Sequence, residues 1–163
     1  MTADRPQRTS KTQRKRDMHA LQALGEELIT LPDSQLAQIP LPERLREAVL
    51  DARKMTKRGA LHRQRQYIGR LMREIDAEPV REAVEIIRAR ERSQHMIFHQ
   101  AERWRDRIID AGDEAIEQLV QTYPDADRQR LRSLLLTARK ERDGNRQPTA
   151  ARALFKYVRD LIA

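Results

Sequence analysis

From Val80 to Ala111 the chain runs without a glycine or a proline, and its apolar residues recur at intervals of three and four. Such a stretch predicts one helix, opened by Glu78-Pro79 and stopped at Gly112, about thirty residues or roughly 45 Å long at 1.5 Å per residue. Val80, Val84 and Ile87 form one apolar cluster along it, and Ile97 or Phe98 with Ala101, Trp104 and Ile108 form another. The polar run from Arg88 to Gln94 separates them. One helix with two apolar clusters predicts two small helical lobes that share it, over residues 13–95 and 96–163, behind a disordered basic tail over residues 1–12.

The rest of the chain repeats the pattern in shorter pieces. Met18, Leu21, Leu24 and Leu28 make one stripe on a helix from about Lys11 to Thr30. Leu31-Pro32-Asp33-Ser34 and Ile39-Pro40-Leu41-Pro42 then punctuate the chain around at most one short helical turn. Pro42 suits a first helical position, and Leu45, Val49, Ala52 and Met55 continue from it. Gly59 is expected to weaken or bend that helix, after which Leu61, Ile68, Leu71, Met72 and Ile75 resume the stripe. Beyond Gly112 three more helices follow. The first is closed by Tyr123-Pro124, the second is capped by Asp125 or Asp127 and ended by Asp143-Gly144-Asn145, and the last is led in by Pro148-Thr149. With aromatics at 4% and no run of alternating β-branched residues, the class is all-α, its core built from Leu, Ile, Val, Ala and Met.

The charges are less uniform than the helices. The formal net charge is +8, carried by 33 basic residues of which only six are Lys. Between Ala52 and Arg73 stand eight of them (Arg53, Lys54, Lys57, Arg58, Arg63, Arg65, Arg70 and Arg73) with no Asp or Glu. A window of one sign repels itself unless an anionic partner lies against it. At about 100° per residue, Arg63, Gln66, Arg70 and Arg73 group opposite the apolar stripe, with Arg65 flanking it. Arginine's planar fork grips phosphate in bidentate fashion and stacks on bases, which suits RNA. Gly69 lies between the two faces, where a missing side chain admits a neighbouring helix more commonly than an RNA backbone.

A second basic group, Arg139, Lys140, Arg142 and Arg146, lies around a helix C-terminus, and Arg128, Arg132 and Arg139 align on that helix. The helix dipole favours cations at that end in proteins that bind nothing, so this group says less than the acid-free window does. Acids crowd elsewhere, at Asp106, Asp110, Asp113, Glu114 and Glu117, as a solvated face paired with Arg103, Arg105 and Arg107 or as a face for a basic protein.

Signatures of catalysis are missing from the sequence. There is no GxxxxGK[ST], no GxGxxG after a strand and no GxSxG. His95 and His99 stand one helical turn apart, but HMIFH is not HExxH, and such a pair reads as surface or packing residues. Without cysteine there is no disulfide and no thiolate metal site, so no cofactor is expected. No apolar stretch reaches the ~18 to 20 residues that span a bilayer, and no secretory core precedes the first helix. The expectation is a cytoplasmic, monomeric binding protein with no membrane partner. The competing reading is a helical protein adaptor whose basic surface is incidental.

Several segments together resemble a known family. They are Arg63-Gln64-Arg65-Gln66-Tyr67-Ile68-Gly69-Arg70-Leu71-Met72-Arg73, Phe98-His99 through Arg105-Asp106-Arg107 to Gly112-Asp113, and Pro124-Asp125-Ala126-Asp127-Arg128-Gln129-Arg130-Leu131-Arg132 with Ala138-Arg139-Lys140-Glu141 and Gly144-Asn145. In that order, over about residues 17–162, the chain resembles the YjgA/DarP family of bacterial ribosome-associated proteins. The resemblance implies an elongated fold of two helical bundles and a non-enzymatic factor in late assembly of the large ribosomal subunit. It further implies binding to ribosomal RNA on the precursor particle, help in maturing its peptidyl-transferase region, and other assembly factors as further partners. Relatives commonly carry an acidic N-terminal extension where this chain has a short basic tail, and Arg70 stands where Lys is frequent. The residues expected to meet RNA are Arg58, Arg63, Arg65, Arg70, Arg73, Arg128, Arg132, Arg139, Lys140, Arg142 and Arg146.

Overall fold

A computed structural model of the chain describes residues 10–163. The tail expected over 1–12 lies outside the described residues up to position 9, while Ser10 caps the first helix and Lys11 and Thr12 begin it. The described residues form eight helices and no strand: α1 (Lys11–Thr30), α2 (Asp33–Leu36), α3 (Glu43–Lys54), α4 (Arg58–Glu74), α5 (Glu78–Ala111), α6 (Asp113–Thr122), α7 (Arg128–Asp143) and α8 (Thr149–Ile162). The all-α class read from helical spacing is therefore what the chain adopts.

Two boundaries differ from the sequence reading. Pro42 stands one place earlier than a first helical residue: with extended ψ it is the N-cap of α3, and its carbonyl accepts from the amides of Leu45 and Arg46 at 2.9 and 3.0 Å. The break between α3 and α4 falls at residues 55–57, and Gly59 sits inside the first turn of α4 with open space around it. The chain turns there because α3 and α4 both pack their apolar stripes into one core, and Arg53 anchors the last turn of α3 before the turn begins.

Packing divides the described residues into two units, the first ending at Arg88 and the second running from Ala89 to Ala163. In the first unit Leu28, Leu45, Val49, Ile68, Met72 and Val80 are the centre of the core and are shielded from water. Glu27 of α1 accepts from Arg88, whose Nε lies 2.8 Å away, which ties the end of this unit to its first helix. That pairing raises the Arg88 pKa above its ordinary value, chiefly through the hydrogen bond to Glu27. The stripe on α1 is buried only from Leu24 onward. Residues 11–20 are exposed throughout, Met18 included.

In the second unit Ala101, Ile108, Ile116, Leu119, Leu131, Leu154 and Val158 form the core. Of the two candidates at the start of the second α5 cluster, Ile97 turns partly inward and Phe98 stays exposed. Asp127 rather than Asp125 caps α7, its carboxylate accepting from the Arg130 amide at 3.0 Å. Helix α8 has no cap from its own N-terminal residue, and Glu141 of α7 accepts from the Ala150 amide at 2.8 Å instead. The stop after Asp143 is made with Asn145 at φ 47°, while Gly144 keeps a negative φ. Asparagine tolerates the left-handed region, so the turn needs no glycine there.

Candidate nucleic-acid interface

The surface begins with how closely two helices approach. A Cβ on Gly25 of α1 would stand 2.8 Å from Ile68 Cγ2, and one on Gly69 of α4 would strike the Gln22 amide at 1.6 Å. Both glycines thus serve helix packing. Gln22 fills the space over Gly69 and donates from Nε2 to the Arg65 carbonyl at 2.9 Å and to Glu26 at 2.8 Å. Above this contact the helices leave a groove of 460 Å³ lined by Lys15, Met18, His19, Gln22 and Glu26 on α1 and by His62, Arg65, Gln66 and Arg73 on α4. Three cations thus face one acid in it, and His62 and Gln66 approach to 3.2 Å on its wall.

The acid-free window separates into cations with different tasks. Arg53 is 18% exposed at its side chain and does not face solvent as a ligand would: Nη2 donates to the Leu28 carbonyl at 2.9 Å and to that of Leu31, and Nη1 meets Asp33. Lys54 lies 3.5 Å from Asp51, and Arg70 donates to Glu74 at 2.9 Å from just beyond the window. Lys57, Arg58, Arg63, Arg65 and Arg73 are exposed and form no ion pair among the described residues. Arg65 and Arg73 line the groove; Arg63 and Arg70 stand on α4 outside its lining. The face read from the helical wheel therefore meets α1 along one edge only, where Gln66 and Arg73 line the groove and Arg63 and Arg70 do not.

The candidates on α7 are engaged within their own unit. Arg128 reaches Glu117 at 3.0 Å, and Arg132 reaches Asp113 at 2.7 Å and Glu117 at 3.6 Å. The hydrogen bond that Arg132 donates to Asp113 raises the Arg132 pKa above its ordinary value. Arg139 donates to the carbonyls of Ile109 and Asp110 at 2.9 and 3.0 Å, and its guanidinium lies against Gly112, whose φ of 69° suits glycine. Arg142 approaches Asp110 at 3.3 Å. Lys140 and Arg146 are exposed and make no ion pair among the described residues. The acidic face is consequently paired largely by α7, and among the described residues Arg105 on Asp106 is the one pairing of those expected from its own helix. That contact is also the main cause of a raised Arg105 pKa.

His95 and His99 lie with ring centroids 6.0 Å apart, and His99 turns Nδ1 to Glu102 at 3.0 Å. Among the described residues no group of three or more His, Cys, Asp or Glu is placed to hold a metal ion. No helix among them is long and apolar enough to cross a membrane.

Lys15, His19 and His62 are members of the surface that the sequence reading did not include. A signal was present: Lys11, Lys15 and His19 are spaced by four, which places them along one face of α1. The missing information was which face of α1 runs beside α4.

The family model described as "Dual-action ribosomal maturation protein DarP" matches residues 7–159. The chain is 46% identical over 161 residues to the dual-action ribosomal maturation protein DarP of Nitrosospira multiformis, a match covering 98% of this chain and 88% of that protein. Proteins of the same name from Edwardsiella ictaluri and Chromobacterium violaceum are each 47% identical, over 93% and 94% of this chain and 82% and 84% of theirs.

Proposed function

The chain belongs to the DarP family of dual-action ribosomal maturation proteins, and from that membership we propose that it is a ribosome biogenesis factor that binds ribosomal RNA on large-subunit precursors through the surface around the α1/α4 groove. It acts there in the cytoplasm as a structural chaperone, without catalysis, and promotes late maturation that includes the peptidyl-transferase region. The observation that carries the reading is the set of cations left without acids. Lys57, Arg58, Arg63, Arg65 and Arg73 keep their charge for an external partner, and Lys15 joins Arg65 and Arg73 along the groove. A phosphate backbone fits that need because cations that displace condensed counterions gain binding free energy from their release. On this reading Arg128, Arg132, Arg139 and Arg142 serve mainly the fold of their unit, and Lys140 and Arg146 supply that unit's phosphate contacts. The adaptor reading needs an acidic face free to meet a partner, and Asp106, Asp110, Asp113 and Glu117 are already paired within the chain.

Sedimentation with large-subunit precursors at low and high salt tests the proposal. Co-migration that salt removes is expected, with a log-log slope of about −5.6 to −7.2 when all eight of these cations meet phosphate. The triple variant Lys15→Glu, Arg65→Glu, Arg73→Glu should reduce the slope by about 2 to 3. A slope near zero, or a triple variant that sediments as the parent does, overturns it.

A further inference from the structure

We propose that Phe98, whose exposed ring stands against the half-buried ring of Phe155 in the second unit, is a stacking site for an unpaired nucleobase of RNA. The inference rests on the RNA reading above and adds to it a contact of different chemistry. Exposed apolar side chains elsewhere, such as Ile86, Met96 and Leu136, are aliphatic and single, as on any protein surface. Phe98 is different. It is 45% exposed while Ile97 beside it turns partly inward, and its ring meets that of Phe155 at 5.1 Å between centroids and 66° between planes. In an edge-to-face pair one ring keeps both of its faces uncovered by its partner. His99 lies 5.7 Å from Phe98 at 85°, so the aromatic surface continues along α5.

Cations border this surface. The Arg105 guanidinium lies 5.9 Å from the Phe155 ring centroid and is held there by Asp106 at 2.8 Å. Arg152, one turn before Phe155 on α8, and Lys156, its neighbour, are exposed and make no ion pair among the described residues. An aromatic face with cations at its edge matches the chemistry of a nucleotide: the base stacks on the ring, and the phosphate on either side meets the cation. The same features disfavour a protein partner. Two rings bordered by charge offer far less than the roughly 800 Å² that each side of a specific protein interface buries. Paired RNA gains nothing from such a site because its bases are already stacked, so the site reads an unpaired nucleotide.

The experiment uses the full chain and two probes, an RNA duplex carrying an unpaired bulge and the same duplex without it. Phe98→Ala and Phe98→Leu should each weaken binding to the bulged RNA by about 5- to 100-fold and leave the continuous duplex unaffected, whereas Phe98→Trp should retain both. Circular dichroism checks that the folds are equal. Phe98→Leu separates the occupants: it keeps apolar bulk and loses the π-face, so a Leu variant that binds like the parent while Ala does not marks an ordinary apolar contact and overturns the proposal. Equal losses on both probes, or no loss on either, also overturn it. Parent protein that binds both probes equally defeats the stacking site alone. Parent protein that binds neither, with the groove variant equally inert, defeats the RNA reading on which it stands.

Discussion

Arg53 and Arg139 donate to carbonyls near the ends of α1 and α5, two helices whose own last turns carry no basic residue. The last carbonyls of a helix have no partner within it and lie at the negative end of the dipole, so a guanidinium brought from elsewhere in the chain satisfies both needs. Hydrogen bonds to charged groups contribute about 1.5–3 kcal/mol. Arg53→Ala and Arg139→Ala should each lower the free energy of unfolding by about that amount in urea titrations, with Lys at either position recovering only part, since it lacks the fork. An Ala variant of unchanged stability refutes the capping role. The glycines allow an ordering test. A methyl on Gly25 meets Ile68 and Met72, both buried, and overpacking of this kind costs about 1–3 kcal/mol, whereas one on Gly69 displaces only the end of the flexible Gln22 side chain, whose two hydrogen bonds lie near enough to solvent for water to replace them at a net loss of about 1 kcal/mol. Helix propensity returns up to about 1 kcal/mol to each, so Gly25→Ala should destabilise clearly and Gly69→Ala hardly at all. The reverse order in thermal melts disproves this account of the α1/α4 contact.

At the scale of elements, the first half of α1 is unusual in burying nothing. Residues 11–20 are exposed, yet they carry Lys15 and His19 to the groove, so they are held by helix formation and by the Ser10 cap rather than by a core. The Ser10 hydroxyl accepts from the Gln13 amide at 3.1 Å. Removing such a cap costs about 0.5–2 kcal/mol, which here falls on a segment that can fray without unfolding the rest. Ser10→Ala should therefore speed amide exchange over residues 11–16 and weaken RNA binding while leaving the melting temperature almost unchanged. If the melting temperature falls and binding does not, the segment's role is structural. The pairing of α6 with α7 illustrates the opposite case, since its charges are exposed and yet engaged. Exposed ion pairs contribute about 0 to 1 kcal/mol each, so their larger effect is to decide which guanidinium groups stay available.

For the whole molecule, the two cores share no residue. Truncating a buried Met to Ala costs about 2–5 kcal/mol, and Met72 is fully shielded from water in the first core. Met72→Ala should accelerate hydrogen exchange in α1, α3 and α4 and leave the protection of α7 and α8 nearly as it was; acceleration spread evenly over both units would mean that they open as one. Much of this architecture was legible beforehand. The breaker-free run from Val80 to Ala111 determined α5, and helical spacing, proline and capping residues placed the other elements to within a few positions, because these are local properties of the chain. Net charge and the acid-free window likewise pointed toward an anionic partner. What local pattern left open was the direction and engagement of each side chain. Arg53 and Arg63 are alike in a charge count, but one closes α1 and the other faces solvent. Arg132 and Lys140 lie on one helix, but only the first has acids across from it on α6. Lys15 joins the surface through a helix 43 residues distant along the chain at the Gln22–Arg65 contact. Spacing along a helix is set by the backbone and is written in the sequence; which charge meets which is set by the packing of segments far apart in the chain, and only the tertiary structure decided it.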